Sequence, residues 1–300
     1  MKKYYKKVSL KSKFLNFAFK FTNAKKNYLT EENTKKFIGK YQKEKKKYDL
    51  FDKYDFVEED FPGRKVYSFN GTINDNKGKI LIYIHGGSFV EEAISYQLEF
   101  AMLIALSTNS TLVVPRYKLI PDGTYKDLYS LMDDVYEKVL FNTDDIEFLG
   151  DSSGGGFILA YSMYLRDKNF VLPNNLLMLS PWVDLTMKNK ELLKSIKYDN
   201  MSGIEGNRYC GKLWANKLDT EDPLVSPIYG YFEGLPKMTI ATGSFDILRP
   251  DCMRLASILD DEGIEYNYIE YKNQGHDFGC YPTKEGNMLI EDFSKIINNK

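Results

Sequence analysis

The chain has 300 residues and only two histidines, His85 and His276. It also carries the pentapeptide Gly150-Asp151-Ser152-Ser153-Gly154, a G-x-S-x-G pattern. A Ser hydroxyl is a weak nucleophile until a general base takes its proton, so the serine and the scarce imidazoles belong to one question. An apolar run ends at Leu149 and a helical stretch starts near Gly154. Between them the chain must turn sharply from strand to helix, and flanking glycines remove the side-chain clashes that such a turn creates. The hydroxyl of Ser152 then projects above the sheet. The new helix aims free N–H groups and its positive dipole end at the site, which favours developing negative charge. "GDSSGGG" lacks the G-K-[ST] ending of a nucleotide-binding P-loop, so that use of the glycines is excluded.

A strand-to-helix nucleophile of this kind uses the chain order Ser, acid, His. Only His276 follows Ser152, so His276 is the expected base. Asp246, at the end of the apolar run 237–246, is the expected acid. Asp251 ranks second because it falls in the following helix, and Asp277 reads as a turn or surface acid that points away. Acyl chemistry also needs backbone N–H groups aimed at the oxygen that becomes negative. Ser153, next to the nucleophile, supplies one. The glycine-rich loop His85-Gly86-Gly87-Ser88 follows an early strand and supplies the others, with His85 shaping the loop and not acting as a second base.

These residues need a frame. Residues 79–85, 111–117, 146–150, 175–182, 237–246 and 265–272 read as strands, several of them apolar throughout, as strands covered on both faces are. Helical stretches at 95–107, 126–140, 154–168 and 250–262 alternate with them. That alternation predicts an α/β protein with a mostly parallel sheet flanked by helices. Residues 185–222 break the rhythm and read as an insertion. Residues 1 to about 55 read as helical and polar, with Thr30 as a helix N-cap.

Hydrophobic residues make up 43% and aromatics 15%, enough for a sizeable core and against disorder. Basic and acidic residues nearly balance, at 41 and 42, but not evenly along the chain. The first 50 residues hold 16 lysines and four acids, leaving the remainder acidic. No nucleic-acid motif accompanies the lysines, so they read as a solvated basic pair of helices on an acidic body. Phe14, Phe17, Ala18 and Phe21 form an amphipathic stripe. It is expected to cover the protein's own acyl pocket, with a weak membrane-surface contact as the competing use. No run reaches the roughly 20 apolar residues of a membrane span. Three scattered cysteines and no CxxC suit a reducing compartment, and a cytoplasmic location is expected.

With these residues in place, residues from about 75 to the C-terminus resemble the hormone-sensitive-lipase-like branch of the α/β-hydrolase fold. "HGGSF" resembles that family's HGGG loop, "YKLIPD" its Y-R-L-A-P-E segment and "GDSSGG" its G-D-S-A-G-G elbow. "SPWVDL", "DPLVSP", "GSFDILRPD" and "GHDF" recur in the same order. The resemblance implies an eight-stranded, mostly parallel sheet, a triad of Ser152, Asp246 and His276, and a helical cap. The cap would comprise residues 1–55 and the insertion near 185–222 of a catalytic domain spanning 56–300. It also implies oxyanion donors at Gly87, Ser88 and Ser153, with Gly86 shaping the loop. Ser88 stands where the family has glycine, and Ser153 where it has alanine.

The expected activity is a serine carboxylesterase acting on short-chain acyl esters through an acyl-enzyme, with no metal or organic cofactor. An amidase, a sugar-ester deacetylase or a longer-chain lipase would share the triad. A ligand-binding protein with a decayed triad is the rival from another class. The expected partner is a small-molecule ester and not nucleic acid, and a homodimer is left open.

Overall fold

A computed structural model describes residues 1–43, 50–76 and 78–299. Lys45, Lys46 and Lys47 of the basic segment lie outside the described residues. The strands are β1 (Lys2–Tyr5), β2 (Val57–Glu58), β3 (Lys65–Phe69), β4 (Ile80–Ile84), β5 (Thr111–Arg116), β6 (Ile146–Asp151), β7 (Asn175–Leu179), β8 (Lys237–Gly243) and β9 (Tyr266–Tyr271). They form one sheet in the order β1-β9-β8-β7-β6-β4-β5-β3-β2. Among the described residues, only the β2–β3 and β3–β5 pairings are antiparallel.

Along β4 the side chains alternate. Ile80, Ile82 and Ile84 enter one apolar cluster, while Leu81 and Tyr83 enter the cluster on the other face. Both sets are buried, so the strand reads as an unbroken apolar run although its two faces serve different cores. The N-terminal segment supplies α1 (Leu10–Phe19), α2 (Ala24–Tyr28) and α3 (Glu31–Lys43). The body contributes α4 (Ser95–Thr108), α5 (Tyr125–Leu140) and α6 (Ser152–Asp167). Two short helices, α7 (Leu192–Ser195) and α8 (Ile204–Ala215), lie between β7 and β8, where the insertion was expected. The chain then forms α9 (Arg249–Asp261) and α10 (Lys284–Ile297). Helices α5, α6 and α9 cover one face of the sheet, and α4 and α10 cover the other.

The sheet has nine strands where eight were expected, and the N-terminus is not helical throughout. Residues Lys2–Tyr5 pair in parallel with β9, from Lys2 opposite Tyr268 to Tyr5 opposite Tyr271. The lysines there hide a strand, because their partners come from distant sequence. Lys3 Nζ lies 2.6 Å from Asp292, and the Tyr5 hydroxyl donates to Asp292 at 2.8 Å. Tyr5 also stacks on Tyr271 with ring centroids 4.4 Å apart. After this strand, Ser9 caps α1, accepting from the Ser12 N–H. Thr30 caps α3 as expected, accepting from the Asn33 N–H at 3.1 Å.

The pairing of β1 generates a prediction. Tyr5→Ala removes the ring stack and the bond to Asp292, and should lower stability by about 1–2 kcal/mol. Chemical denaturation reads this loss. Unaltered stability would show that β1 contributes nothing to the sheet edge.

Candidate active site

The turn between β6 and α6 places Ser152. Its φ is 49°, a left-handed conformation that costs a non-glycine residue of order 1–3 kcal/mol. The surroundings enforce it. A Cβ on Gly154 would come within 2.6 Å of the Ile84 carbonyl carbon, and one on Gly156 within 2.8 Å of that of Trp182. The glycines therefore let the first turn of α6 press against β4 and the chain after β7. The strand runs to Asp151 and the helix starts at Ser152, so the turn is tighter than the pentapeptide suggested.

Ser152, His276 and Asp246 are brought together. Ser152 Oγ lies 2.9 Å from His276 Nε2, and His276 Nδ1 lies 3.0 Å from Asp246 Oδ1. All three are buried. Asp246 stands three residues beyond the end of β8, in a loop, and not at the strand end itself. Its carboxylate accepts from the Leu248 N–H at 2.8 Å and from the Thr242 hydroxyl at 3.3 Å. Burial works to raise its pKa, but His276, the Ser180 side chain and the Leu248 N–H hold it below the ordinary aspartate value.

Asp251 is not at the site. It sits in α9, accepts from Asn189 at 2.7 Å, and is pushed up to about 6 by burial. Asp277 differs from its expectation as a turn or surface acid that points away. It is buried, in a left-handed conformation with φ 51°, and its Oδ2 lies 3.3 Å from His276 Nε2. Backbone conformation turns the side chain inward, which adjacency in sequence could not reveal. Burial pushes its carboxyl well above the ordinary range, and the charges of Asp151 and Asp246 add to the shift. His276 is pushed up to about 10. Burial pulls its pKa down, but the carboxyls of Asp277 and Asp246 outweigh that.

The loop after β4 closes the other side. The Gly86 N–H donates to Asp151 Oδ1 at 3.1 Å and is thereby occupied. A Cβ on Gly86 would stand 2.8 Å from that of Ser152, so only glycine fits this close approach. Gly87 and Ser88, with φ of 119° and 53°, line the same cavity as Ser152. The Ser88 hydroxyl lies 3.3 Å from Asn207 Oδ1 on α8. Ser153 is buried in the first turn of α6, where backbone N–H groups lack intrahelical acceptors. His85 Nδ1 lies 2.7 Å from the Gly86 carbonyl, and its ring stacks on Tyr117 at 4.6 Å. Burial lowers its pKa.

Two further acids organise the site. Asp151, besides Gly86, accepts from Gln97 at 2.7 Å and from the Tyr83 hydroxyl, and so ties the elbow to the loop. Its position beside Ser152 was the available signal. Asp199, from the insertion, accepts from the N–H groups of Met201, Ser202 and Ile247 at 2.7 to 2.9 Å. It fastens the insertion to the loop of Asp246, and no sequence pattern marks it. A cavity of about 170 Å³ opens onto Ser152 and His276, bounded also by Gly87, Ser88, Glu91 and Tyr28. Tyr28, from α2, donates to Glu91 at 2.9 Å.

A sequence profile of the α/β-hydrolase fold matches residues 81–279, about two thirds of the chain. The chain belongs to the α/β-hydrolase fold family. An esterase of Acinetobacter venetianus is 26% identical over 227 residues, covering 74% of this chain and 75% of that one. An acetyl esterase of Salmonella schwarzengrund is 25% identical over 217 residues, 67% of this chain and 66% of its own. Among solved structures, a Staphylococcus aureus protein assigned as an esterase superimposes with a TM-score of 0.85 at 25% identity, covering 93% of this chain and 97% of that one. An esterase of the bacterial hormone-sensitive lipase family superimposes with a TM-score of 0.80 at 19% identity, covering 98% and 99%. The likeness of fold thus extends over nearly the whole chain. This hydrolase is a carboxylic ester hydrolase, as its family and named relatives agree.

The electrostatics of His276 can be read directly. In NMR its imidazole should titrate on the alkaline side of an ordinary histidine. Asp277→Asn removes a carboxyl that raises that midpoint, so the midpoint should move to lower pH. An unmoved midpoint would exclude Asp277 as a cause.

Proposed function

We propose that this ester hydrolase acts on short-chain acyl esters through an acyl-enzyme formed on Ser152. The observation that carries the reading is the continuous contact from Ser152 Oγ through the His276 ring to Asp246, at 2.9 and 3.0 Å. His276 Nε2 takes the hydroxyl proton as Oγ attacks the ester carbonyl. Asp246 accepts from Nδ1–H, keeping the proton on that nitrogen and stabilising the imidazolium. The N–H groups of Gly87, Ser88 and Ser153 receive the tetrahedral oxyanion. Gly86 shapes the loop, since its own N–H is spent on Asp151. The imidazolium then protonates the leaving alcohol, and a water activated by the same nitrogen releases the acid.

The short-chain preference is supported by the size of the cavity, about 170 Å³, well below the roughly 300–1,000 Å³ of sites for drug-sized ligands. The named acetyl esterase, and the crystal structure of EstE5 soaked with p-nitrophenyl butyrate, agree with it. We assign the N-terminal segment and the insertion to a cap over the catalytic domain. Ala24, Asn27, Met201 and Ser202 border the cavity and support this assignment. The three cysteines are free and buried, which accords with a cytoplasmic enzyme. The reading also includes a membrane-surface contact through the basic N-terminal helix.

A fluorophosphonate should label Ser152, and labelling at Ser153 or Ser244 in its place would overturn the assignment. Asp246→Asn should lower kcat by roughly 10⁴-fold, whereas Asp251→Asn should leave it nearly unchanged. On a panel of p-nitrophenyl esters, kcat/KM should fall beyond butyrate and vanish in Ser152→Ala. A general base acts only when neutral, and the pKa of His276 is raised. Activity should therefore climb with pH into the alkaline range. A plateau already reached near pH 6 would contradict that role for His276.

A further inference from the structure

Helix α1 was expected to turn its phenylalanines toward the acyl pocket. It does the opposite. Leu10, Phe14, Phe17 and Phe21 are 82%, 71%, 56% and 76% exposed. Ser12 is buried, and Leu15, Asn16 and Phe19 are partly so. At 3.6 residues per turn Leu10, Phe14 and Phe17 point roughly 180° away from the buried set, and Phe21 follows in the turn after the helix. Polar anchors set this roll. Glu285 accepts from the Ser9 N–H and from the Ser12 hydroxyl, both at 2.6 Å. Asn16 donates to the Asn273 carbonyl at 2.7 Å, and its own carbonyl accepts from Asn200 at 3.2 Å. The helix is thus fastened to the body by its polar face, and its apolar stripe is held outward.

An exposed stripe of large side chains on a fixed helix has a cost in water unless something covers it. Charge says what does. Lys11 falls on one flank of the stripe, Lys13 and Lys20 on the other, and Lys6 and Lys7 precede it; all are exposed. The first 30 residues contain nine lysines and no acid. A second copy of the chain docking through this face would set the same lysines against themselves, since a two-fold interface pairs a patch with its own image. An anionic lipid surface meets both requirements. The rings enter the acyl boundary, and the long lysine side chains reach back to the headgroups. The net acidic remainder of the chain is repelled by such a surface, which favours approach through this face.

We propose that α1 and the turn after it form an interfacial docking element, in which Leu10, Phe14 and Phe17 of the helix, Phe21 of the turn and the flanking lysines seat the enzyme on anionic bilayers. The opposite face of the same helix, through Leu15, Asn16 and Phe19, lines a small cavity beside His276. Docking therefore holds the active site close to the lipid surface, where sparingly soluble esters partition. The inference deepens the membrane contact proposed above; its geometry does not depend on the triad.

The test is co-sedimentation of the full-length protein with phosphatidylglycerol/phosphatidylcholine vesicles and with pure phosphatidylcholine vesicles, at low and high salt. Binding should favour the anionic vesicles and weaken with salt. The triple variant Phe14→Ser, Phe17→Ser, Phe21→Ser should lose at least tenfold in vesicle affinity. Lys6→Gln, Lys7→Gln, Lys11→Gln and Lys13→Gln together should abolish the anionic preference. All these side chains are exposed, so turnover of p-nitrophenyl acetate in solution should be unchanged, which shows that the variants fold. The vesicle assay repeated with Ser152→Ala separates docking from catalysis. Equal binding to both vesicle types, or wild-type binding by the phenylalanine variant, would overturn the proposal. So would a wild-type dimer in sedimentation that the phenylalanine variant converts to monomer.

Discussion

Asp151 and Ser152 sit where a strand becomes a helix with no residue between them, and the site is arranged around that turn. The left-handed Ser152 is unfavourable by itself. It persists because α6 is pressed against β4 and the chain after β7 through glycines that admit no Cβ. The Asp151 side chain, just before it, bonds the Gly86 N–H, Gln97 and Tyr83. One acid thus links the turn of Ser152, the proposed nucleophile, to the loop proposed to receive the oxyanion. Strain at the serine is offset by packing and hydrogen bonds elsewhere, and this fixes the hydroxyl before substrate arrives.

A second theme is the crowding of carboxyls around one imidazole. Asp246 and Asp277 touch the two nitrogens of His276, and Asp199 stands behind. A buried positive charge is costly unless it is partnered. Here the partners are built in, so the imidazolium required by the proposed acyl transfer is favoured. The same arrangement raises the pKa of the imidazole, which is why the activity is expected to lean alkaline. Asp199 lies between β7 and β8 and accepts from the Ile247 N–H beside Asp246, so that excursion from the sheet also braces the proposed catalytic acid.

The N-terminal segment joins these levels. It adds an edge strand beside β9, fixes α1 through Glu285, and brings Tyr28 to the cavity. Its basic composition meets two different ends. Lys2 and Lys3 find Asp260 and Asp292 on the body, whereas the lysines of and around α1 remain in solvent. Composition alone assigns them all one role; the contacts divide them.

Much was legible in the sequence because it is local. The central strands are runs of consecutive apolar residues, so strand and helix alternation gives the parallel sheet. G-x-S-x-G marks its own turn, and two histidines leave one that can follow the serine. What the sequence did not contain is what depends on rotation and on distant partners. Lys2–Tyr5 looks polar, and its strand exists only because β9 offers a free edge. Asp277 follows His276, yet a positive φ decides that its carboxyl faces the same imidazole. The stripe of Phe14, Phe17 and Phe21 is plain in the spacing, but spacing does not say which way a helix is rolled. Glu285, nearly the whole chain away, decides that by bonding Ser9 and Ser12. Periodicity defines a face, and only tertiary contacts determine what that face meets.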